Sequence, residues 1–173
     1  MKKLLLIAVL FIMASTANAQ LLTSTTLYET KQPHRNHFAL DLGFGGYTGD
    51  IEGGGLALEL GFRDTYDINE YLSVDIIKIG AHSGTDDIGG LLNLQAKTGV
   101  RGFTPILFGQ SRMYANFGLG YGYFTDAEKG GFAWEVGAGL DITRHIAVGF
   151  VYNTNKFYSY NISTIGGRVG FTF

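Results

Sequence analysis

The sequence predicts an all-β protein: an eight-stranded antiparallel up-and-down β-barrel. Bulky apolar residues alternate with small or polar ones in eight consecutive segments, which is the period of two expected of β-strands. Stretches rich in Gly, Asp, Asn and Thr separate these segments, as turns require. The 173 residues suffice for one domain, and no Cys is present, so thiol and disulfide chemistry are excluded.

The N-terminus has the three parts of a secretory signal peptide. Lys2 and Lys3 are basic, Leu4 to Met13 are apolar, and Ala17 and Ala19 form a small-x-small cleavage motif. An uncleaved membrane anchor is the alternative, but this apolar run is shorter than the roughly 20 residues of a transmembrane helix. Export across the inner membrane is therefore predicted.

Three segments follow from this cleavage site. Residues 1–19 are predicted as the signal peptide, with Gln20 as the mature N-terminus. Residues 20–36 are polar and are predicted as a flexible periplasmic leader, and residues 37–173 as the barrel domain.

Each strand is placed by its alternation. The predicted strands are His37–Gly46, Gly55–Tyr66, Tyr71–Gly80, Leu91–Gly102, Arg112–Phe124, Phe132–Ile142, Ile146–Asn153 and Tyr160–Phe173. In the same order, their bulky faces begin Phe38/Leu40/Leu42, Leu56/Leu58/Leu60, Leu72/Val74/Ile76, Leu92/Leu94, Met113/Ala115/Phe117, Phe132/Trp134/Val136, Ile146/Val148/Phe150 and Ile165/Gly167/Val169.

The third strand breaks its own pattern near its end. Ile77 and Ile79 fall on the polar face, and Lys78 falls on the apolar one. Two explanations are open: a β-bulge, or a lysine that snorkels to an interface. His82–Gly90 is predicted as the loop that follows.

The second face of the strands carries small residues and nearly balanced charges. Charged residues are only 16% of the chain, against roughly 25% in soluble domains, so this face is too poor in charge to be a solvated exterior. We therefore predict that the bulky face points outward to lipid and that the charges pair inside. The predicted interior charges are Asp41, Glu59, Arg63, Asp75, Lys97, Arg101, Glu135, Asp141 and Arg168.

Aromatic residues near the strand ends support the same orientation, because membrane barrels carry aromatic girdles at both interfaces. The pairs are Phe44/Tyr47, Tyr121/Tyr123, Phe132/Trp134, Phe150/Tyr152 and Phe171/Phe173. For a transmembrane β-barrel, closure would pair the last strand with the first, which places Phe171 and Phe38 at one rim. Arg168 would then have Glu135, Asp141 and Asp41 as candidate partners.

Residues from about His37 to Phe173 resemble the small eight-stranded outer-membrane barrels of Gram-negative bacteria, the OmpA/OmpX-like family. The signal peptide, the Gly-aromatic run Phe117-Gly-Leu-Gly-Tyr-Gly-Tyr123 and the terminal aromatic carry the resemblance. It implies a location in the cell outer membrane. It also implies that Val169, Phe171 and Phe173 act as the C-terminal signal read by the assembly machinery. The predicted loops are short for this family, which speaks against an adhesive role.

The family also includes lipid A-modifying enzymes, so serine–histidine pairs were considered. His82-Ser83, near Asp86 and Asp87, is the pair with suitable residue types, but adjacent strand residues point to opposite faces. The His-x-Ser-Asn pattern of the deacylases is absent. Loop acids at Asp50/Glu52, Asp86/Asp87 and Asp126/Glu128 do not have the spacing of a calcium loop.

The prediction is thus a monomeric, non-enzymatic outer-membrane barrel with a structural or interaction role, no cofactor and a sealed, ion-paired interior. Its expected partners are outer-membrane lipid or lipopolysaccharide and the assembly machinery. Nucleic acid is not expected, because without Lys2 and Lys3 the chain has 11 basic and 15 acidic residues. The alternatives are a lipid A-modifying enzyme of the deacylase type, or a secreted soluble ligand-binding barrel.

Overall fold

The computed structural model describes residues 36–49, 55–84, 92–107, 111–125, 128–157 and 160–173. Eight antiparallel strands close into one barrel, in which each strand pairs with its neighbours in sequence and the first pairs with the last. The predicted fold class is confirmed. The predicted signal peptide, with its cleavage residues, and the leader up to residue 35 lie outside the described residues.

The strands are longer than predicted. They are β1 (Asn36–Gly49), β2 (Leu56–Asn69), β3 (Leu72–Gly84), β4 (Leu92–Phe103), β5 (Arg112–Phe124), β6 (Lys129–Asp141), β7 (Ile146–Phe157) and β8 (Tyr160–Thr172). We call the end where β1 leads into β2 the distal end, and the end that carries Asn36 and Phe173 the proximal end.

Three strands continue into segments that the sequence reading assigned to turns. β1 runs through Tyr47, β3 through His82 and β7 through Asn155. Each continues because a neighbouring strand supplies backbone partners: Tyr47 pairs with Thr164, His82 with Glu59, and Asn155 with Ile162. Ladder pairing satisfies backbone groups that a turn would leave to solvent, so the loop boundary predicted at His82 is wrong.

The barrel closes along β1 and β8, as predicted. Leu40 pairs with Phe171, and the backbone N–H of Phe173 donates to the carbonyl of Phe38 at 2.8 Å. Phe38 and Phe171 therefore lie at the same, proximal, rim. The Phe38 ring also stacks on that of Phe62, with 5.7 Å between centroids.

Gly45 and Gly166 let the two closing strands approach closely. They face each other in the register, and a Cβ built on either one would collide with backbone atoms of the other strand. An eight-stranded barrel is narrow and bends sharply. A glycine pair lets the wall bend here without a steric clash.

The break in the third strand is a β-bulge. The registers of β3 with both neighbours shift between Asp75 and Lys78, and Ile76 and Ile77 both face outward. The Thr98 hydroxyl donates to the backbone carbonyl of Asp75 at 2.8 Å, which satisfies a ladder carbonyl at the irregularity. The bulge turns Lys78 inward to 3% exposure, so the snorkelling alternative is wrong.

The two faces of the wall are sharply different. Outward-facing side chains are large and apolar, with Phe150 77%, Phe44 65% and Leu56 61% exposed. Inward-facing side chains are mostly polar and buried, including Asp41, Glu135 and Arg168. Within the described residues, no helix has the length and hydropathy needed to cross a membrane.

Candidate functional site: the charged interior of the barrel

The interior is layered, and its distal layer is an apolar cap. Tyr47, Ala57, Phe124 and Ile162 are buried and pack together at this end. Because the odd-numbered residues of β1 face inward, Tyr47 belongs to the cap. Its predicted place in an outward aromatic girdle is wrong.

Below the cap lies a layer of amides and one imidazole. Asn153 Nδ2 lies 2.9 Å from Gln95 Oε1 and 3.0 Å from His82 Nε2, and Asn155 Nδ2 donates to Asn93 Oδ1 at 3.2 Å. All five side chains are buried. Buried amides of this kind need such partners, because an unmet hydrogen bond in an interior costs about 1–3 kcal/mol.

Glu135 is the centre of the next layer. Lys78 Nζ lies 2.9 Å from both carboxylate oxygens, and Lys97 Nζ lies 2.6 Å from Oε2. The Arg168 guanidinium donates to both oxygens at 3.2 and 3.3 Å, and Asn116 Nδ2 donates to Oε1 at 3.1 Å. Four strands besides β6 therefore converge on one carboxylate.

Glu59 is the second acid of this layer, and it shares its cations with Glu135. Arg168 Nη2 donates to Glu59 Oε1 at 2.6 Å and Nε donates to Oε2 at 3.3 Å, a two-pronged contact. Lys78 Nζ lies 3.6 Å from Oε1. Arg168 and Lys78 thus join the two acids into one network, which we call the Glu135 network: Glu59, Lys78, Lys97, Asn116, Glu135 and Arg168.

The proximal half of the interior holds a looser set. Arg63 lies 3.3 Å from Asp41 Oδ1 and 3.8 Å from Asp75 Oδ1, and Asp75 accepts a hydrogen bond from Thr65 at 2.8 Å. Arg101 is buried too, but no carboxylate among the described residues is within ion-pair distance of it. We call Asp41, Arg63, Asp75 and Arg101 the proximal set.

Aromatic rings close the proximal end. Phe103, Tyr114 and Ala147 are buried and pack together there. The Arg101 guanidinium lies 4.4 Å from the centre of the Tyr114 ring, and that of Arg112 lies 3.6 Å from the centre of the Phe103 ring. Both are within the range of cation–π attraction, so the polar interior lies between two aromatic caps.

Of the nine interior charges named from the sequence, the structure brings eight together. Asp141 is the exception: it lies at the proximal rim and pairs with Arg112 at 3.0 Å. Arg168 contacts Glu135 and Glu59, so Asp141 is wrong as its partner. Lys78, which the sequence reading left out, takes its place among the interior charges, so the described interior has four acids and five bases.

His82 was missed for the same reason as Lys78. Read without the bulge, it falls in a loop. Read through the bulge, Lys78, Gly80 and His82 all share the inner face. The signal in the sequence was the apolar doublet Ile76-Ile77, which two residues of one strand cannot place on one face without an extra residue.

The serine–histidine pair does not form a catalytic arrangement. The His82 ring is buried and hydrogen-bonded to Asn153, whereas Ser83, the next strand residue, lies on the outward face. No group of three His, Cys, Asp or Glu side chains that could hold a metal occurs in the described part of the chain. The loop acids Asp50, Glu52, Asp86, Asp87 and Asp126 lie outside the described residues.

Comparisons with known proteins support the fold. No protein-family model matches the chain, and no curated protein does. Among solved structures, the outer membrane enzyme PagL matches with a TM-score of 0.61 at 12% identity, over 77% of this chain and 98% of that one. Neisserial surface protein A matches with a TM-score of 0.57 at 10% identity, over 80% and 97%.

A third structure, the N-terminal β-barrel domain of Pseudomonas aeruginosa OprF, has a TM-score of 0.51 at 14% identity, over 80% of this chain and 98% of that one. At such identities these likenesses establish the fold and no more. The chain has the fold of the small eight-stranded outer-membrane β-barrels.

Proposed function

We propose that this protein is a monomeric barrel of the outer membrane with a structural or interaction role and no enzymatic activity. The observation that carries the proposal is the inversion of the two faces: bulky apolar side chains outside, charged side chains inside. A soluble ligand-binding barrel needs the opposite arrangement, because its bulky residues must surround the ligand. A closed barrel also pairs every ladder N–H and C=O within the wall, which hydrocarbon requires.

The interior supports a sealed barrel. Eight strands leave room inside for side chains and little else. Here the Glu135 network spans the lumen by contacts of 2.6 to 3.6 Å, with an aromatic cap at either end. We infer that the barrel does not conduct ions, and planar-bilayer recording tests this inference. Steady single-channel conductance at neutral pH would contradict it.

The experiment on orientation uses the absence of cysteine. Leu58→Cys and Ala57→Cys are adjacent, outward and inward, at 51% and 4% exposure in the wild-type chain. Each is spin-labelled after reconstitution into lipid vesicles. We expect dissolved oxygen, which concentrates in hydrocarbon, to relax the label at 58 strongly and the label at 57 weakly.

The reverse ranking would refute the proposed orientation, and so would a chain that stays dispersed without detergent. Retarded mobility of the unheated protein on a gel provides the folding control for both variants. Co-purification with the outer-membrane fraction tests the proposed location. Loss of membrane assembly in a chain with Phe173 deleted, but not with Phe150→Leu, would support the C-terminal signal.

A lipid A-modifying enzyme is the second candidate, because PagL, an outer membrane enzyme, shares the fold. The inward direction of His82 opposes it, since the imidazole faces away from any lipid at the wall. Mass spectra of lipid A from cells with and without the protein decide the question. A mass change that disappears with His82→Ala would overturn the non-enzymatic proposal.

A further inference from the structure

The outward face of the barrel is not equally apolar all the way round. On β6, β7, β8 and β1, four cross-strand neighbours near the distal end form a row: Trp134, Thr154, Ser163 and Thr48. The next row toward the distal end is Phe132, Lys156 and Asn161. We call Thr48, Thr154, Lys156, Asn161 and Ser163 the distal notch.

The opposite side of the barrel has no such rows. Leu56, Leu58, Leu92 and Leu94 face outward near the distal ends of β2 and β4, with exposures of 36 to 61%. The polar boundary therefore reaches deeper on the notch side. The two notch rows are two residues apart along each strand, about 7 Å at 3.3–3.4 Å per residue.

The inner row of the notch is a built arrangement of hydroxyl groups. The Tyr152 hydroxyl donates to Ser163 Oγ at 3.1 Å, and Thr154 Oγ1 lies 3.0 Å from the same oxygen. Ser163 and Thr154 are only 3% and 6% exposed although they face outward. Each hydroxyl carries one proton, so two bonds among three hydroxyls leave one proton to donate to an oxygen outside the trio.

Aromatic rings flank these hydroxyls. Trp134 packs against Tyr152, with ring centroids 5.5 Å apart, and Phe132 lies next to Lys156 in the register. Aromatic rings with one polar edge are favoured where hydrocarbon meets headgroups. The notch thus offers hydroxyl and amide groups at the depth where lipid headgroups end.

Lys156 sets the charge of the ligand. It is the one Lys or Arg on the outward face of the described strands, and it is exposed. An ammonium that merely reached for water would need no polar groups deeper in the wall. The hydroxyl row below it gives a second set of donors, as a phosphate oxygen requires.

We propose that the distal notch binds the phosphate-bearing headgroup of an anionic membrane lipid, with Lys156 as the charged contact and the Thr154–Ser163 hydroxyls as the donors beneath it. This inference rests on the proposed membrane location. It adds a defined side of the barrel at which one lipid is preferred over its neighbours.

Trp134 is the single tryptophan of the chain, and it reports on the notch directly. The folded barrel is held in zwitterionic detergent and titrated with phosphatidylglycerol, lipid A or phosphatidylcholine. We expect a saturable change in Trp134 emission with the two anionic lipids and a linear, non-saturating one with phosphatidylcholine. A stronger response to lipid A than to phosphatidylglycerol would indicate a site for a phosphorylated sugar headgroup.

The variant that tests the charge is Lys156→Gln, for which we expect about fivefold weaker binding of the anionic lipids. Arg144→Gln is the matched control: it removes the same charge from an exposed turn at the proximal end, and wild-type affinity is expected. Ser163→Ala tests the hydroxyl row and is expected to weaken binding without changing the folded mobility.

Equal affinity of Lys156→Gln and wild type would overturn this inference, and so would saturable binding of phosphatidylcholine at wild-type strength. The spin-label experiment keeps the two proposals separate. A barrel that inserts in the proposed orientation but shows no lipid preference refutes only the notch. A chain that does not insert refutes the proposed function itself.

Discussion

The Glu135 network and the proximal set place the same residue types inside one barrel, yet they are built differently. In the network, one carboxylate has four partners at 2.6 to 3.3 Å. In the proximal set, the contacts are 3.3 and 3.8 Å. There, Asp41 Oδ2, Arg63 Nε and Arg101 Nε have no hydrogen-bond partner within the described residues.

This difference indicates that the network, rather than interior charge in general, specifies the barrel. A buried charge stabilises a fold only if its partners repay the loss of water. Glu135 meets that condition and Arg101 does not. Substitutions in the two sets should therefore differ in the size and even the sign of their effects on stability.

The largest effect is expected from Glu135→Ala. It leaves Lys78, Lys97 and Arg168 facing one another with one carboxylate fewer, and we expect a loss of about 3–5 kcal/mol in unfolding free energy. Urea unfolding of the barrel in lipid vesicles, followed by gel mobility, measures it. Val136→Ala, the next residue on the outward face, is the control and should change little; equal losses in the two variants would refute the role of the network.

A smaller effect is expected from Asp41→Asn. Asp41 has one contact of 3.3 Å with Arg63, and its other oxygen has no hydrogen-bond partner within the described residues. We expect a loss of about 1–3 kcal/mol in the same unfolding assay. A loss as large as that of Glu135→Ala would show that the two sets are equivalent.

Arg112→Gln tests a rim pair. Arg112 and Asp141 are 3.0 Å apart but partly exposed, and the Arg112 guanidinium also covers the Phe103 ring. Exposed pairs contribute roughly 0–1 kcal/mol, so we expect a loss of no more than about 1 kcal/mol, reduced by salt. Insensitivity to ionic strength would assign the loss to ring packing.

The smallest effect is expected from Arg101→Met. Removing a buried cation that has no carboxylate partner relieves its desolvation, and it costs only the cation–π contact with Tyr114, about 0.5–2 kcal/mol. We expect stability to stay within about 1 kcal/mol of wild type. A loss of 3 kcal/mol or more would mean that Arg101 has a strong partner after all.

Which charges enter the barrel was predictable from alternation wherever the alternation was unbroken. Glu59, Arg63 and Lys97 all follow it. Lys78 does not, because a bulge inserts one residue and reverses the phase of everything after it. The sequence shows that a phase change occurs near Ile76, but either a bulge or a snorkelling lysine accounts for it equally well.

Strand ends and partners were less predictable. Alternation continues past Gly46 into Tyr47, and whether a segment pairs there depends on β8, which lies over 100 residues away in the chain. The same holds for Arg168. Its side chain reaches Glu59 and Glu135 because strand stagger brings them level with it, whereas Asp141 lies at the rim.

The sequence by itself determined the class of fold, the number of strands and the direction of each face, because a period of two and the cost of burying bulky or charged groups are local properties of each strand. Only the tertiary structure decided which charges meet, where the bulge shifts the register, and that the hydroxyls of β7 and β8 form a notch on one side. These depend on stagger between strands, which backbone pairing around the closed barrel sets and no single segment encodes.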